Sequence, residues 1–523
     1  QQMLLPGAKI STVHGFCSGL IREHFHLLGL PPQFKVAEET ETALLKEEAV
    51  GEVVEEMYAD GGDAFRELAD LLSPGRDDRG LFRAVLRIHD FVQSHPFPDE
   101  WLREKEGDYT LDRPVAETAW GRTVLASVRD TAEGCTALLT RALSLTAEEP
   151  AMADKYGPVI GREREMLLSL SAFLAQPGLS WDDAAQRLSS LSYGRLPPLK
   201  NYEEEIRKNR VTALRDDVKK RLRDIGALLC GSEEECREDI RVLSRLVRVL
   251  FEAVRRYDVR FAEKKRKRGL VDFGDLEHYA LRLLIGEDGE RTRLAAELSD
   301  RFDEVLVDEY QDTNAAQDAL FRALSREETN LFMVGDVKQS IYGFRQAMPE
   351  IFISRRDGYP PFDGEHFPAS ITLGNNFRSR REVTDAVNFV FRQLMTRAVG
   401  GIDYDEREAL ICSAGYPDAP GRETELLLID GGTREESDAK DAAEARVIAG
   451  RIREMLGSFS VTEGEGFRPA RPGDFCILLR SKNAHAGAYV DELNRCGVPA
   501  WTTSAGGFFS AAEVAWAVSL LRI

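Results

Sequence analysis

Residues 305–313 read Val-Leu-Val-Asp-Glu-Tyr-Gln-Asp-Thr, a short apolar run that ends in two adjacent carboxylates, Asp308 and Glu309. A strand buried on both faces of a parallel sheet has such a continuous apolar run, and ligands of these sheets bind beyond the carboxyl ends of the strands. We therefore predict a buried parallel strand with a ligand site at its end. One carboxylate can hold Mg²⁺ while its neighbour orients a water molecule against a phosphate, as in the Walker-B half of a nucleoside-triphosphatase site.

The phosphate-binding half of such a site does not occur in the sequence. The 523 residues contain no loop of the form G-x-x-x-x-G-K-[ST], and the dipeptide Gly-Lys is absent as well. The chain also starts at Gln1 close to a strand-like segment, and its last apolar helix reaches Ile523 without a stop signal. We expect a fragment of a longer protein, with no appreciable ATPase activity of its own.

The composition is typical of a soluble protein with several domains. The chain is 43% apolar and 30% charged, and one domain usually takes about 100–200 residues. No run approaches the ~20 apolar residues that cross a bilayer, and no secretory signal opens the chain, so we expect a cytoplasmic protein without a membrane contact. The seven cysteines form no C-x-x-C pair, which favours reduced thiols.

A basic run at residues 255–268 contrasts with the net charge of −20. It carries eight basic and two acidic side chains. The net charge argues against a basic coat over the whole surface but allows a local basic track. Two interpretations stay open from the residues alone: the solvated end of a helix, or a contact with a nucleic-acid backbone.

The periodicity of apolar residues divides the chain into a helical part and an α/β part. From residue 36 to 268 helical periodicity dominates, which indicates a large helical insertion. From residue 302 onward, short apolar runs alternate with helical stretches, among them a helix predicted over 442–456, and this pattern predicts parallel α/β topology. The apolar runs lie at residues 305–307, 331–334, 371–373, 426–429 and 475–479.

Two more of the predicted strands are followed by side chains suited to a phosphate. Gly335 permits a tight turn after the run at 331–334, and Gln339 can bond a phosphate oxygen or an attacking water. Arg378, after the third run, can neutralise charge on a transferring phosphoryl group. Each stretch is weak evidence alone, because an Asp-Glu pair at a strand end is more often a surface turn.

An aromatic segment, Tyr342 to Arg345, follows the second predicted strand. Tyr342, Phe344 and Arg345 offer flat side chains beside a positive charge, as the stacking of single-stranded bases requires. Core packing of Phe344 and a structural role for Tyr342 are the competing interpretations.

The order and wording of these stretches resemble motifs II, III and IV of the superfamily-1 UvrD/RecB-type DNA helicases. The matching segments are residues 307–314, 334–345 and 376–379, with similarity to motif Ib at 10–17 and to motif Ic at 271–276. Within that superfamily the wording is most similar to the AddA family of the bacterial AddAB helicase-nucleases. The AddA-like phrases are residues 272–281, 336–342 and 403–410.

The resemblance implies RecA-like P-loop NTPase motor domains, an α/β fold of parallel sheet and flanking helices with a large all-helical insertion. It places motor domain 1A at residues 1–35 and 266–368, the helical insertion 1B at 36–265, and motor domain 2A at 369–523. Walker A, motifs V and VI and the nuclease domain of AddA would lie outside the chain.

The resemblance also implies roles for individual residues, with ATP and Mg²⁺ as cofactors. Asp308, with Glu309 beside it, would hold Mg²⁺, and Glu309 would activate the hydrolytic water. Gln339 would sense the γ-phosphate, and Arg378 would be an arginine finger. The residues expected along the DNA path are Thr12, His14, Asp272, Phe273, Tyr342, Phe344 and Arg345. His14 has an alternative as a residue that caps or packs beside its helix.

The implied activity is ATP-dependent translocation along single-stranded DNA, with unwinding of duplex ends in double-strand-break repair and AddB as the type of heterodimer partner. Two alternatives stay open: a UvrD/PcrA-like repair helicase without a nuclease, and a non-catalytic DNA-binding or assembly module. Glu309, Gln339 and Arg378 argue against the module, since a pure binder needs no water-activating carboxylate.

Overall fold

The computed structural model describes most of the 523 residues. The described ranges are 8–75, 77–110, 113–199, 204–416, 421–429, 437–463, 466–503 and 512–521. The chain forms two compact units, residues 1–374 with 390–409 and residues 375–389 with 410–523. In the described ranges, no helix combines the length and the apolar character needed to cross a membrane. The domain limits inferred from the resemblance stay predictions.

Helices fill the first unit up to residue 268. Helix α1 spans Val13–His24, with Thr12 as its N-cap. The strand-like segment expected close to Gln1 would end at residues 8–12, and these residues are not a strand. Between residues 37 and 269 the described residues form no strand. The helices there are α2 Glu39–Asp60, α3 Gly62–Leu72, α4 Arg79–Val92, α5 Pro98–Gly107, α6 Ala119–Ala147, α7 Pro150–Leu174, α8 Trp181–Ser189, α9 Glu205–Gly226 and α10 Glu233–Arg268.

These helices from α2 to α10, which we call the helical block, pack around two apolar cores. One core lies between α2–α5 and α10 and includes Leu45, Phe65 and Tyr257. The other lies among α6–α9 and includes Leu139 and Trp181. Burial of the apolar helix faces stabilises the block, because most helical stability in proteins comes from tertiary packing and not from helix propensity.

A short parallel ladder joins the two ends of the helical block. Strand β1, Lys35–Val36, pairs with β2, Leu270–Val271, in the register Lys35 to Leu270 and Val36 to Val271. Helix α10 ends at Gly269, whose φ of 64° is the left-handed conformation that glycine adopts without a side-chain clash. The chain therefore leaves and re-enters the rest of the first unit at adjacent points.

The remaining part of the first unit alternates helices and strands. Its elements are α11 Phe273–Leu284, α12 Arg293–Arg301, β3 Val305–Val307, α13 Ala315–Leu324, β4 Leu331–Met333, α14 Pro349–Gly358, α15 Arg381–Leu394 (shared with the second unit) and α16 Arg397–Gly400. Strand β3 pairs parallel with β4, and α1, α11, α12 and α13 share an apolar core. The predicted parallel strands at 305–307 and 331–334 are confirmed, the second ending at Met333.

The expected burial of β3 on both faces is wrong for the described residues. Leu306 is 67% exposed, and Phe332, its register partner on β4, is 55% exposed. Successive side chains of a strand point to opposite faces, so the flanking residues of each strand are half-buried while these two share an open face.

The described residues of the second unit form two short sheets. Strand β5, Asn375–Asn376, pairs parallel with β6, Ile411–Cys412, and β7, Ser460–Glu463, pairs antiparallel with β8, Gly466–Pro469. Its other helices are α17 Ser437–Ser458, α18 Lys482–Arg495 and α19 Ala512–Leu521. Helices α17 and α18 share an apolar core. The runs at 371–373, 426–429 and 475–479 are not strands, because none forms a ladder with another described segment.

Candidate active site

Two carboxylates stand at the carboxyl end of β3. Asp308 Oδ1 accepts a hydrogen bond from the Glu309 backbone N–H at 2.9 Å, and both side chains are exposed. Glu309 adopts the left-handed conformation, with φ of 51° and ψ of 43°. For a residue other than glycine that conformation costs about 1–3 kcal/mol, and residues held in it cluster at active sites and ligand-binding loops. The turn therefore carries strain where the two carboxylates are presented.

Gln311 connects Glu309 to the loop that follows β4. Its side chain is 1% exposed: Nε2 donates to Glu309 Oε2 at 2.7 Å, and Oε1 accepts from the Asp336 backbone N–H at 2.9 Å. Gln339 Nε2 in turn donates to Asp336 Oδ2 at 2.9 Å. The structure thus brings the predicted residues Glu309 and Gln339 into one hydrogen-bonded chain, which we call the motif bridge.

Gly335 makes this close approach possible. A Cβ at position 335 would lie 2.7 Å from Gln311 Oε1 and 3.2 Å from the Gln311 backbone nitrogen. Contacts that short require a shift of the neighbouring atoms, and one of them is backbone. The predicted tight turn at Gly335 is therefore also the place where two loops touch.

Lys338 fixes the other side of the loop after β4. Its Nζ lies 2.8 Å from Asp336 Oδ1 and 3.4 Å from Glu408 Oε2, and Arg356 donates to Glu408 Oε1 at 2.7 Å. Burial alone would raise the pKa of Asp336, but hydrogen bonds from Lys338 and Gln339 hold it below its usual value. Asp336 therefore stays charged as the acceptor at the centre of the motif bridge.

Sequence reasoning did not assign roles to Gln311, Asp336 or Glu408. Each lies inside a stretch used for the resemblance, but side-chain contacts between separate loops cannot be inferred from spacing. Asp312 is another such residue: its Oδ1 is buried without a partner among the described residues, and burial and Glu309 raise its pKa.

The aromatic segment after β4 is exposed. Phe344 is 75% exposed, so core packing of this ring is excluded. The Tyr342 and Phe344 ring centroids lie 5.9 Å apart, with the Arg345 guanidinium 5.4 Å and 5.7 Å from them. Flat rings beside a cation suit the stacking of nucleobases, and the role of these residues in DNA binding stays a prediction.

The predicted DNA-path residues near α1 and α11 form a second cluster. The Thr12 hydroxyl accepts from the Gly15 N–H at 3.1 Å and caps α1. The His14 ring lies 5.1 Å from the ring of Phe273, which is exposed at the start of α11. The structure thus brings His14 and Phe273 together, and Thr12 fixes the helix that carries His14.

Asp272 is occupied within the protein. Its carboxylate caps α11 and lies 2.7 Å from Lys265 Nζ, which also lies 2.7 Å from Asp275 Oδ1. Burial would raise the pKa of Asp272, but Lys265 lowers it, whereas burial and Asp272 raise the pKa of Asp275. The side chain of Asp272 therefore holds the start of α11, where Phe273 is exposed.

The basic run at 255–268 is largely neutralised by the helical block and α11. The pairs are Arg255 with Asp99 and Glu106, Arg256 with Asp60 and Glu252, Arg260 with Glu52 and Glu56, Lys264 with Glu48 and Glu52, Lys265 with Asp272 and Asp275, and Arg268 with Glu48. Six of the eight cations thus pair with carboxylates of the chain, which argues against a free basic track along the whole run. Arg266 and Lys267 are exposed at the end of α10, as the solvated-end interpretation expects.

Arg378 lies in the second unit, just after β5. Asn376 Oδ1 accepts from the Arg378 backbone N–H at 3.0 Å, and the Arg378 carbonyl accepts from the Tyr416 hydroxyl at 3.1 Å. These contacts fix the backbone, and the residue is exposed. Its role as an arginine finger stays a prediction.

The carboxylates after β3 fit a magnesium ion. In the described ranges no group of three or more His, Cys, Asp or Glu side chains is arranged to hold a metal. Mg²⁺ in phosphate-transfer sites needs only one or two carboxylates, with waters and phosphate oxygens as its other ligands. Asp308 and Glu309 supply hard oxygen donors, and neither has an ion-pair partner among the described residues.

Known proteins match this chain over its whole length. The model of the UvrD/REP helicase N-terminal domain matches residues 199–360. The AddA protein of Geobacillus kaustophilus, an ATP-dependent helicase/nuclease subunit, is 37% identical over 100% of this chain and 44% of its own length. The proteins of that name from Alkaliphilus metalliredigens and Acetivibrio thermocellus are 34% and 35% identical over 99% and 100% of the chain, and over 43% and 45% of their own lengths.

The chain belongs to the UvrD-type helicase family. The family implies the motor fold of P-loop NTPases and the use of a nucleotide, and the parallel pair of β3 and β4 agrees with it. The chain spans less than half the length of the AddA relatives that it matches. The motif bridge lies inside the part that the UvrD-type model matches.

Proposed function

We propose that this chain is the motor part of an ATP-dependent single-stranded-DNA translocase and helicase of the AddA type. The observation that carries the proposal is the motif bridge. It links Glu309, at the end of β3, through Gln311 and Asp336 to Gln339. The Glu309 carboxylate is held by a strained backbone and connected through hydrogen bonds to the Gln339 amide. This arrangement suits the hydrolysis of a phosphoanhydride.

The proposed chemistry assigns a separate task to each side chain. Asp308 would hold Mg²⁺, which supplies charge neutralisation at the phosphates when bound. Glu309 would orient the attacking water and accept its proton. Gln339 would contact the terminal phosphate, and a change in its bond to Asp336 would reach Glu309 through Gln311. Arg378 would add positive charge from motor domain 2A.

The finer architecture of the proposal is RecA-like. Motor domain 1A would comprise residues 1–35 and 266–368, the insertion 1B residues 36–265, and motor domain 2A residues 369–523. Short parallel ladders flanked by helices support this assignment for the first unit, and the absence of strands among the described residues between 37 and 269 supports the insertion.

DNA would be held by two clusters in the first unit. Tyr342, Phe344 and Arg345 would stack on bases of a single strand, which is sequence-tolerant because every base has an aromatic face. His14 and Phe273 would form the second contact, with Thr12 and Asp272 fixing the helix starts that carry them. Exposed rings in both clusters support this path.

The substrates and partners follow from the AddA type. We propose duplex DNA ends as the entry site, an AddB-type protein as heterodimer partner, and double-strand-break repair in the cytoplasm as the setting. The relatives are named as helicase/nuclease subunits, which favours this assignment over a UvrD/PcrA-like helicase without a nuclease.

Substitution Glu309→Gln in the full-length gene product tests the proposal. The amide keeps the shape of the side chain but accepts no proton, so ATP turnover should fall about 10²–10⁴-fold. Binding of a fluorescent nucleotide should stay within about threefold. Glu304→Gln, an exposed glutamate just before β3, is the matched control. Turnover retained in Glu309→Gln would remove Glu309 from its role, and an unmodified protein without DNA-stimulated turnover would refute the helicase proposal.

A further inference from the structure

Glu277 is a buried carboxylate on α11 that touches both a predicted DNA contact and the segment after β3. It is 6% exposed, and its Oε1 lies 3.2 Å from His14 Nε2. The same oxygen accepts a hydrogen bond from Gln317 Nε2 at 2.7 Å. Burial alone would raise the pKa of Glu277, but its bonds with His14 and Gln317 hold it below the usual value. The group is therefore a buried anion with two partners on one atom.

The partner Gln317 lies in the first turn of α13. Its backbone N–H donates to the side chain of Asn314, the N-cap of that helix, at 2.8 Å. Asn314 follows directly on the segment that contains Glu309 and Gln311. The Thr313 carbonyl accepts from the Met348 N–H at 2.9 Å, just beyond the exposed aromatic segment. A movement of Gln317 would therefore shift a helix start that both strand-end loops contact.

The histidine at the other end lies at the surface. The His14 side chain is 39% exposed and packs against exposed Phe273. A phosphate of a DNA strand can take a ring N–H of His14, and the Glu277 oxygen then loses part of its charge-assisted contact. Gln317 then has to supply more of the compensation for the buried charge of Glu277, because an unpaired buried charge is strongly unfavourable.

We propose that Glu277 is a positioning residue that transmits single-stranded-DNA binding at His14 to the water-activating segment through Gln317. The inference rests on the proposed function, since it requires a DNA-stimulated ATPase. Binding of single-stranded DNA at His14 then changes the activity of the nucleotide site by a coupling factor. Coupling factors between two sites usually lie between about 5-fold and 150-fold.

Glu277→Gln in the full-length gene product tests the inference through the stimulation ratio. This ratio is ATP turnover with saturating single-stranded DNA divided by turnover without DNA. The ratio should fall about tenfold, within the usual range of such coupling factors, while basal turnover stays within about twofold and the thermal midpoint is unchanged. Glu287→Gln, an exposed glutamate just after α11, removes the same charge and should leave the ratio unchanged.

Gln317→Met provides a second variant that keeps Glu277 and His14 intact. It should lower the stimulation ratio by a similar factor, and the double variant should fall no further than either single, since both residues lie on one route. A ratio within about twofold of the unmodified protein in Gln317→Met, or losses that multiply in the double variant, would overturn the inference. A ratio of one in the unmodified protein would overturn the proposed function itself, which distinguishes the two failures.

Discussion

Helix α10 carries cations typical of a phosphate contact, and the loop after β3 carries carboxylates typical of a magnesium site beside a phosphate. The two regions differ in how far their charges are paired within the chain. Most cations of the basic run in α10 form ion pairs with carboxylates on α2, on α5 and at the start of α11. The carboxylates of Asp308 and Glu309 are exposed and have no ion-pair partner among the described residues. The difference teaches that a charge run indicates a binding site only when the fold leaves its charges unpaired.

The two regions also differ in backbone energetics. Helix α10 begins with a capping box at Ser232 and ends at a left-handed glycine, so its termini are favourably satisfied. Glu309 holds the same left-handed conformation without being glycine, at a cost of about 1–3 kcal/mol. The caps of α10 add to the free energy of unfolding, whereas the strained backbone at Glu309 lowers it and fixes the direction of the Glu309 side chain.

Among the changes that test this comparison, Gly335→Ala should have the largest effect, because it would break the motif bridge. The added methyl group would press on Gln311, so the free energy of unfolding should fall by about 1–3 kcal/mol and ATP turnover of the full-length gene product more than about tenfold. Chemical denaturation and steady-state turnover measure the two losses.

Gly161→Ala in α7 is the matched control for this change, because nothing lies within 4 Å of the Cβ position there. It should raise the free energy of unfolding by up to about 1 kcal/mol. Equal behaviour of the two alanine variants would show that the close approach at Gly335 does not matter.

A smaller, purely functional effect is expected from Phe344→Ala. Loss of one stacking ring should weaken single-stranded-DNA binding by about 1–3 kcal/mol, roughly 5-fold to 150-fold, with unfolding unchanged because the ring is exposed. Fluorescence anisotropy with a labelled oligonucleotide measures the affinity. Phe467→Ala on β8 removes another exposed ring and should leave the affinity unchanged. Unchanged affinity in Phe344→Ala would contradict the proposed DNA path.

The smallest effect is expected in α10. Arg260 lies 2.8 Å from Glu52 and 2.7 Å from Glu56, and such partly exposed pairs contribute about 0–1 kcal/mol each. Arg260→Ala should therefore lower the free energy of unfolding by about 1 kcal/mol or less, and single-stranded-DNA affinity should stay within about twofold. Arg266→Ala, an exposed cation on the same helix, is the control. A clear loss of DNA affinity with unchanged unfolding would reverse the comparison and restore α10 as a phosphate contact.

Local elements could be predicted well from the sequence. The helical character of residues 36–268, the parallel strands predicted at 305–307 and 331–334 and a helix over 442–456 all follow from periodicity, and the second strand ends one residue earlier, at Met333. These features depend on neighbouring residues, which a single sequence displays directly. The family could also be predicted from the residue pattern of the segments that follow the predicted strands.

Contacts between distant segments could not be predicted. The acidic partners of Arg260, Glu52 and Glu56, lie 208 and 204 positions away in α2. The residues near the basic run therefore could not show that its charges are paired. The apolar runs at 371–373, 426–429 and 475–479 have strand composition, but a strand also requires a partner in register. Gln311 and Glu408 likewise acquire their contacts only when separate loops meet.

The two-residue ladder of β1 with β2 gives the helical block a modular character. Parallel strands can be joined by a crossover of about a dozen residues, so a connection of that length could replace everything from Ala37 to Gly269 without moving the flanking chain. Such an exchange would leave Asp272 and Asp275 facing each other without Lys265. Any replacement segment would therefore need a basic side chain beside Asp272 and Asp275. Otherwise these two carboxylates would have to be substituted together with the helical block.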